Sequence, residues 1–280
     1  MISGHRRKTA VVYLLLTLLA GFSMLPLAWA FVSSLKPLDE VYAFPPEFGI
    51  DQPQWSNYKE AFTRLPLARF LVNSFVIALP AAAGAVLTSS MAGYALARIS
   101  FFGRTLCLYL VVASLLIPSQ VLLIPRFLFF DFLGWVGTYK PLIVPAWLGG
   151  GAFNMLLFRQ VFRAMPPASE EAALLDGASH WQAYWHVMLP AARPAVVTCA
   201  VLSFVFHWQE FLDPLIYLSD FRTYPVSLGL RMYQSMAGTW ANLLMAASLI
   251  ALLPLALVFI FGERHIVRGL GALVGRSQTS

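Results

Sequence analysis

Residues 170–190 read EEAALLDGASHWQAYWHVMLP. The stretch opens with two acids, runs through small residues, meets a glycine and restarts as an aromatic-rich segment. It stands between apolar runs oily enough for a bilayer, and its polarity sets it apart from them. Pro166 and Pro167 suit a helix start, where a missing N–H costs nothing. Glu170 and Glu171 fall in the first turns, where the helix dipole favours acids. Ala172, Ala173, Leu174 and Leu175 are good helix formers, and Gly177 is placed to end the helix in the left-handed conformation. Ser179 with Gln182 three residues on makes a capping box for a second helix. That helix is expected over about His180–Met188, ending before Pro190, because the residue before a proline avoids helical backbone. Two readings remain open from these residues. One is an interfacial amphipathic helix with Trp181, Tyr184 and Trp185 at headgroup level. The other is a docking element whose small residues let a soluble partner approach a glutamate.

The rest of the chain decides the setting. It has 280 residues, 59% hydrophobic and only 11% charged, with mean hydropathy +0.71. A soluble domain is roughly half apolar and a quarter charged, so the composition points to a membrane protein. Six apolar runs are expected to be long enough to span a bilayer as helix, which takes ~20 residues. They lie at about Thr9–Phe31, Phe70–Ala97, Leu106–Leu123, Pro141–Leu157, Pro194–Leu218 and Leu243–Phe261. Pro118, Pro125, Pro145 and Gly149–Gly151 interrupt the third and fourth, which bundles tolerate where neighbours re-satisfy the backbone. The N-terminal HRRK, the apolar run and the Ala28–Ala30 stretch resemble a signal peptide. The run from Thr9 exceeds the ~7–15 residues of a signal core, so it reads as an uncleaved span.

The cations orient the chain. With six spans and the N-terminus inside, one side collects Arg6, Arg7, Lys8, Arg98, Arg104, Arg159, Arg163, Arg193, Arg264, Arg268 and Arg276. Cytoplasmic loops carry such an excess, so both termini are expected in the cytoplasm. The formal net charge of +6 is then a topology signal, and no basic stripe on a soluble face points to nucleic acid. The expected organisation is a first span with a long extracytoplasmic loop over 1–69, a membrane core over 70–265, and a cytoplasmic tail over 266–280. The only long inside loop, about 164–193, carries the opening stretch.

Several chemistries lack their residues. Lys8, Lys36, Lys59 and Lys140 each follow a residue other than glycine, so no P-loop exists. No histidine is followed by Glu, and no GxSxG elbow occurs. Cys107 and Cys199 lie in apolar runs, without metal-ligand or disulfide spacing. Any ATP used with this chain is hydrolysed on another.

The opening stretch resembles the EAA motif of ABC importer permeases. Glu171-Ala172-Ala173, Asp176-Gly177-Ala178 and Leu189-Pro190 stand at the motif's spacing, followed by Arg193-Pro194. SSLKP (33–37), W-x-N-Y (55–58), NSF (73–75), FRQ (158–160) and VRGL (267–270) resemble the carbohydrate-uptake branch, relatives of the smaller maltose permease subunit. The resemblance implies an all-α membrane protein of six transmembrane helices with the MetI-like importer fold, in the cytoplasmic membrane of a prokaryote. Its partners would be a second homologous permease, two ATPase subunits and an extracytoplasmic solute-binding protein. ATP and Mg would be used on the ATPase chains, with no cofactor bound here. Glu170, Glu171, Ala172, Ala173, Asp176, Gly177, Ala178, Ser179, Leu189 and Pro190 would form the ATPase-docking coupling loop. In it, Glu171 pairs with a basic residue, the alanines permit close packing and Gly177 makes the turn.

A second group lies in the fifth apolar run, FHWQEFLDPL (206–215). Ionisable residues at membrane depth are functional by default. Trp208, Gln209, Glu210 and Asp213, with Asn154 from the fourth run, are the candidate substrate pathway. The family pattern W-N-[DE] has Gln209 at its asparagine position here. The alternative is that these groups are wet or paired within the bundle. The expected function is import of a sugar or oligosaccharide by alternating access. Within the class, glycerol-phosphate or a polyol is the alternative; a phosphorylated solute wants cations, and Arg126 is the only obvious one in a span. An ATP-independent secondary transporter or channel would explain the spans and leave the EAA stretch without a purpose.

Overall fold

The computed structural model describes residues 2–45, 47–235 and 238–274. Among them the chain is helical, apart from a two-residue antiparallel pairing of Gln234–Ser235 with Gly238–Thr239. Four helices are long and apolar enough to cross a membrane: Val11–Ser34, Leu67–Arg98, Lys140–Ala164 and Ala241–Glu263. Two further pairs reach span length only if a sharp bend is counted within one span. Residues 275–280, including Arg276 of the expected tail, lie outside the described residues.

The chain divides into two compact units, one within Met1–Ala68 and Leu230–Leu253, the other within Arg69–Gly229 and Pro254–Ser280. In the first, α1 (Ile2–Ser34) is apolar on all sides over residues 11–31, and its Val11–Ser34 stretch is exposed nearly throughout. A helix of that kind belongs in lipid or against another subunit. The loop after it is ordered by Asn57, which opens α2 (Ser56–Arg64). The buried Asn57 amide donates to the carbonyls of Ser34 and Lys36, each at 2.9 Å, and its oxygen accepts from Asn242 at 3.3 Å. The Tyr233 hydroxyl donates to Ala61 O at 2.5 Å, and burial pushes its pKa up to about 12.

In the second unit, α3 (Leu67–Arg98) is the central element, half buried along its apolar window. Near its start Asn73 donates to the carbonyls of Arg222 and Tyr224, each at 2.9 Å, and Ser74 accepts from Val226 N at 2.8 Å. Phe75 meets Trp208 edge-on at 4.8 Å. After α3 come α4 (Arg104–Ser114) and α5 (Leu123–Phe132), then α6 (Ala152–Ala164). The two helices of the opening stretch follow: α7 (Ala168–Leu175) and α8 (His180–Ala183). Last in this unit are α9 (Arg193–Gln209) and α10 (Leu212–Tyr217). The long α11 (Ala241–Val274) ends the described chain.

Three expectations are corrected. The third run is not one helix over Leu106–Leu123: α4 stops at Ser114 and the chain turns by 97° into Ser119–Phe132. Pro118, in extended backbone at ψ 130°, forbids continuation. The fifth run is not one helix over Pro194–Leu218: α9 ends at Gln209, because Glu210 is extended at ψ 126°. The second helix of the opening stretch does not end before Pro190. It widens into a π-helical turn over Tyr184–Met188 and continues through Leu189–Ala191. Such a turn changes the bonding register of the backbone, which lets the helix pass a residue with no N–H to donate.

Candidate functional site

The opening stretch folds as two helices joined by a sharp turn. Helix α7 ends in a Schellman arrangement. Gly177 N donates to Leu174 O at 3.1 Å and Ala178 N to Ala173 O at 3.0 Å. This pattern needs a left-handed residue, and Gly177 supplies it at φ +87°. Ser179 then caps α8. Its hydroxyl accepts from Gln182 N at 3.3 Å, while its own N donates to Gln182 Oε1 at 2.8 Å. Both features follow the sequence expectation.

One side of α7 faces outward. Glu171, Ala172, Asp176 and Gly177 are exposed, and Leu175 is 88% exposed. Ala173 and Ala178 are half-buried and line a groove with Gln182 and His186 of about 440 Å3. Leu189 is half-buried and Pro190 exposed. Trp181 and Trp185 are exposed, but Tyr184 is 1% exposed, so it is a core residue and not an anchor at headgroup level.

Glu170 behaves differently from its neighbour. It is 6% exposed, and its carboxylate accepts from the Tyr94 hydroxyl at 2.6 Å. Arg98 Nε stands 3.4 Å from its second oxygen and His180 Nδ1 3.8 Å from its first. Arg98 also donates to Met165 O at 2.6 Å, just before α7. One turn back on α3, Ser90 meets the Tyr184 hydroxyl at 2.7 Å. Ser90, Tyr94 and Arg98 are spaced four apart, so they share one face of α3. That polar stripe grips both helices of the opening stretch. Around it Tyr94, Phe158, Phe162, Tyr184 and Met188 form a continuous buried core.

Three of the five candidates in the second group border a cavity of about 670 Å3. Asn154, Glu210 and Asp213 line it; Arg126, Ser203 and His207 join them. Trp208 turns away: it is 2% exposed and packs on Phe75 and Phe204. Gln209 is exposed and does not line the cavity. Arg126 donates to Asp213 Oδ2 at 2.5 Å. Glu210 Oε1 accepts from Leu212 N at 3.1 Å and Asp213 N at 3.3 Å, capping α10. Asn154 donates to Ser203 Oγ at 3.1 Å. Ser203, His207 and Glu210 were legible as one face, being spaced i, i+4, i+7, with the break in helix falling at the last. Among the described residues no cluster of His, Cys, Asp and Glu could hold a metal ion.

Residues 84–271 match the family model described as binding-protein-dependent transport system inner membrane component. The diacetylchitobiose uptake system permease protein NgcG of Streptomyces coelicolor is 31% identical, over 94% of this chain and 88% of the relative. The sulfoquinovosyl glycerol transport system permease protein SmoH of Agrobacterium fabrum is 33% identical, over 89% of this chain and 87% of its own. Among solved structures, a bacterial ABC transporter involved in the import of the acidic polysaccharide alginate superposes with a TM-score of 0.81 at 19% identity. That match covers 93% of this chain and 97% of the other.

Proposed function

Because this chain belongs to the family of binding-protein-dependent transport system inner membrane components, we propose that it is the sugar-conducting permease half of an ABC importer. It is a membrane transport subunit with the importer fold. In the proposed assembly a second permease completes the pathway and a solute-binding protein delivers the sugar. Two ATPase subunits, which carry the hydrolysis, dock beneath α7. The basic residues at this end of α3, α4 and α6 support its assignment to the cytoplasmic side.

The observation that carries this reading is the division of labour in α7. Its outer side offers Glu171, Ala172 and Leu175 to a partner, while Glu170 anchors the same helix to α3. An ATPase that closes on ATP would displace α7, and the Glu170–Arg98–Tyr94 contact would pass the displacement to the helix that lines the cavity through Ile77 and Ala85. The coupling works only if the ATP-bound ATPase favours one permease conformation over the other.

The cavity supports a neutral sugar. The one guanidinium among its described lining residues, Arg126, is already paired with Asp213, and Glu210 adds a further acid. A phosphorylated solute would have to break that pair. Amide and hydroxyl groups from Asn154 and Ser203, beside apolar Leu202 and Phe206, suit a ring with hydroxyls and an apolar face. The reading is tested in liposomes. Uptake of sugar is expected only when the partner permease, binding protein, ATPase and ATP are all present. Flux through the permeases without ATPase would overturn it in favour of a channel or secondary transporter.

A further inference from the structure

Three arginines gather where three helix ends meet, and no step of transport uses them. Helix α3 ends at Arg98, α4 begins at Arg104 and α6 ends at Ala164. Gly93 lets α3 and α6 touch: a Cβ there would stand 2.6 Å from Phe158 Cβ and 2.9 Å from the Arg159 backbone nitrogen. Arg104 folds back to donate to the last carbonyls of α3, Leu96 O at 3.0 Å and Ala97 O at 3.2 Å. Arg159 and Arg163 lie one turn apart on α6, which packs against α4, the helix that Arg104 begins. Like charges so placed repel. Arg159 Nε, like Arg98 Nε, is buried with no hydrogen-bond partner among the described residues, and a buried donor left unmade is costly. Nearby Arg98 has its carboxylate in Glu170. Nothing in the described chain plays that part for the cluster.

The surface beside the cluster is greasy. Between α3 and α4, Phe101 is 41% exposed and Phe102 fully so, and Leu106, Tyr109 and Leu110 continue the exposed apolar surface along α4. Cations adjoining exposed aromatics form the two halves of a lipid site, one for a headgroup and one for chains. We propose that Arg104, Arg159 and Arg163 bind the phosphodiester of an anionic phospholipid, whose chains lie along Phe101, Phe102 and Leu106. Guanidinium forks match phosphate oxygens in pairs, and the bound phosphate supplies both the missing countercharge and an acceptor for Arg159. The apolar flank makes the source a lipid and not free phosphate. The inference rests on this rim lying at a membrane surface, and it stands whichever solute is carried.

The test uses the assembled importer in neutral detergent, observed by native mass spectrometry. It is titrated with phosphatidylglycerol, with phosphatidylcholine and with inorganic phosphate. Phosphatidylglycerol is expected to bind saturably and phosphatidylcholine not. Arg159→Gln and Arg163→Gln are each expected to weaken phosphatidylglycerol binding about fivefold. Arg163→Lys should keep more binding than Arg163→Gln. Arg193→Gln, which removes an exposed cation outside the cluster, should change nothing. Arg163 is exposed, so its variants report even if Arg159→Gln fails to fold. Unchanged binding in both Gln variants overturns the site, as does an equal loss in Arg193→Gln. Displacement of the lipid by equimolar inorganic phosphate overturns the lipid source. Loss of the ATPase subunits with lipid binding intact makes the cluster a protein contact and overturns the proposal.

Discussion

Glu170 and Glu171 are adjacent, chemically identical and opposite in fate. A helix turns about 100° per residue, so one carboxylate enters the core while its neighbour faces out. The two therefore make separable predictions. Glu170→Ala leaves Arg98 buried without its countercharge, which costs about 3–5 kcal/mol; a lowered thermal midpoint of the assembled complex is the expected result. Glu171→Ala should leave that midpoint in place and weaken ATPase docking on the order of 2–5 kcal/mol, read by co-purification. If the two variants exchanged phenotypes, the division of labour would be wrong. Asn57 shows the same logic away from the site. Its motif was legible as W-x-N-Y, but the carbonyls it bonds, Ser34 and Lys36, belong to the SSLKP motif that ends α1. Asn57→Ala strands both and is expected to cost about 1–3 kcal/mol, measured by chemical denaturation in detergent. Two short motifs far apart in sequence are one hydrogen-bonded joint.

At the scale of elements, local rules governed the opening stretch well. The Pro start, the Gly177 stop and the Ser179 box each formed as their chemistry dictates, because each depends on neighbours within a turn. Gly177→Ala forces a side chain into left-handed backbone at about 1–2 kcal/mol. Loosened coupling of ATP hydrolysis to transport is expected, with the thermal midpoint lowered less than in Glu170→Ala; a fully coupled variant would show that the turn's rigidity is irrelevant. Local rules failed at Pro190, where a π-helical turn carries the helix through, and at Leu115–Pro118 and Glu210, where apolar runs that read as single spans bend or stop. Hydrophobicity reports what a segment can dissolve in. It does not report where backbone hydrogen bonds are surrendered, and those breaks are where polar groups such as Glu210 and Asp213 reach the cavity.

For the whole molecule, charge asymmetry sets the expected orientation. In a cysteine-free background, Leu175→Cys should react with an impermeant maleimide only from the cytoplasmic side, and Phe44→Cys only from outside. Labelling of both from one side would overturn the assignment. The membrane class, the number of apolar runs and the two-helix opening stretch were all written in the chain, because composition, periodicity and short-range capping are properties of sequence neighbours. Which glutamate anchors and which is offered, and that Trp208 packs inward while Ser203 and His207 line the cavity, were decided only when distant segments met. So was the pairing of Arg126 with Asp213, and the gathering of Arg104, Arg159 and Arg163. A side chain's role depends on what lies across from it, and in a helical bundle the residues across from it are supplied by other helices, whose approach no local rule encodes.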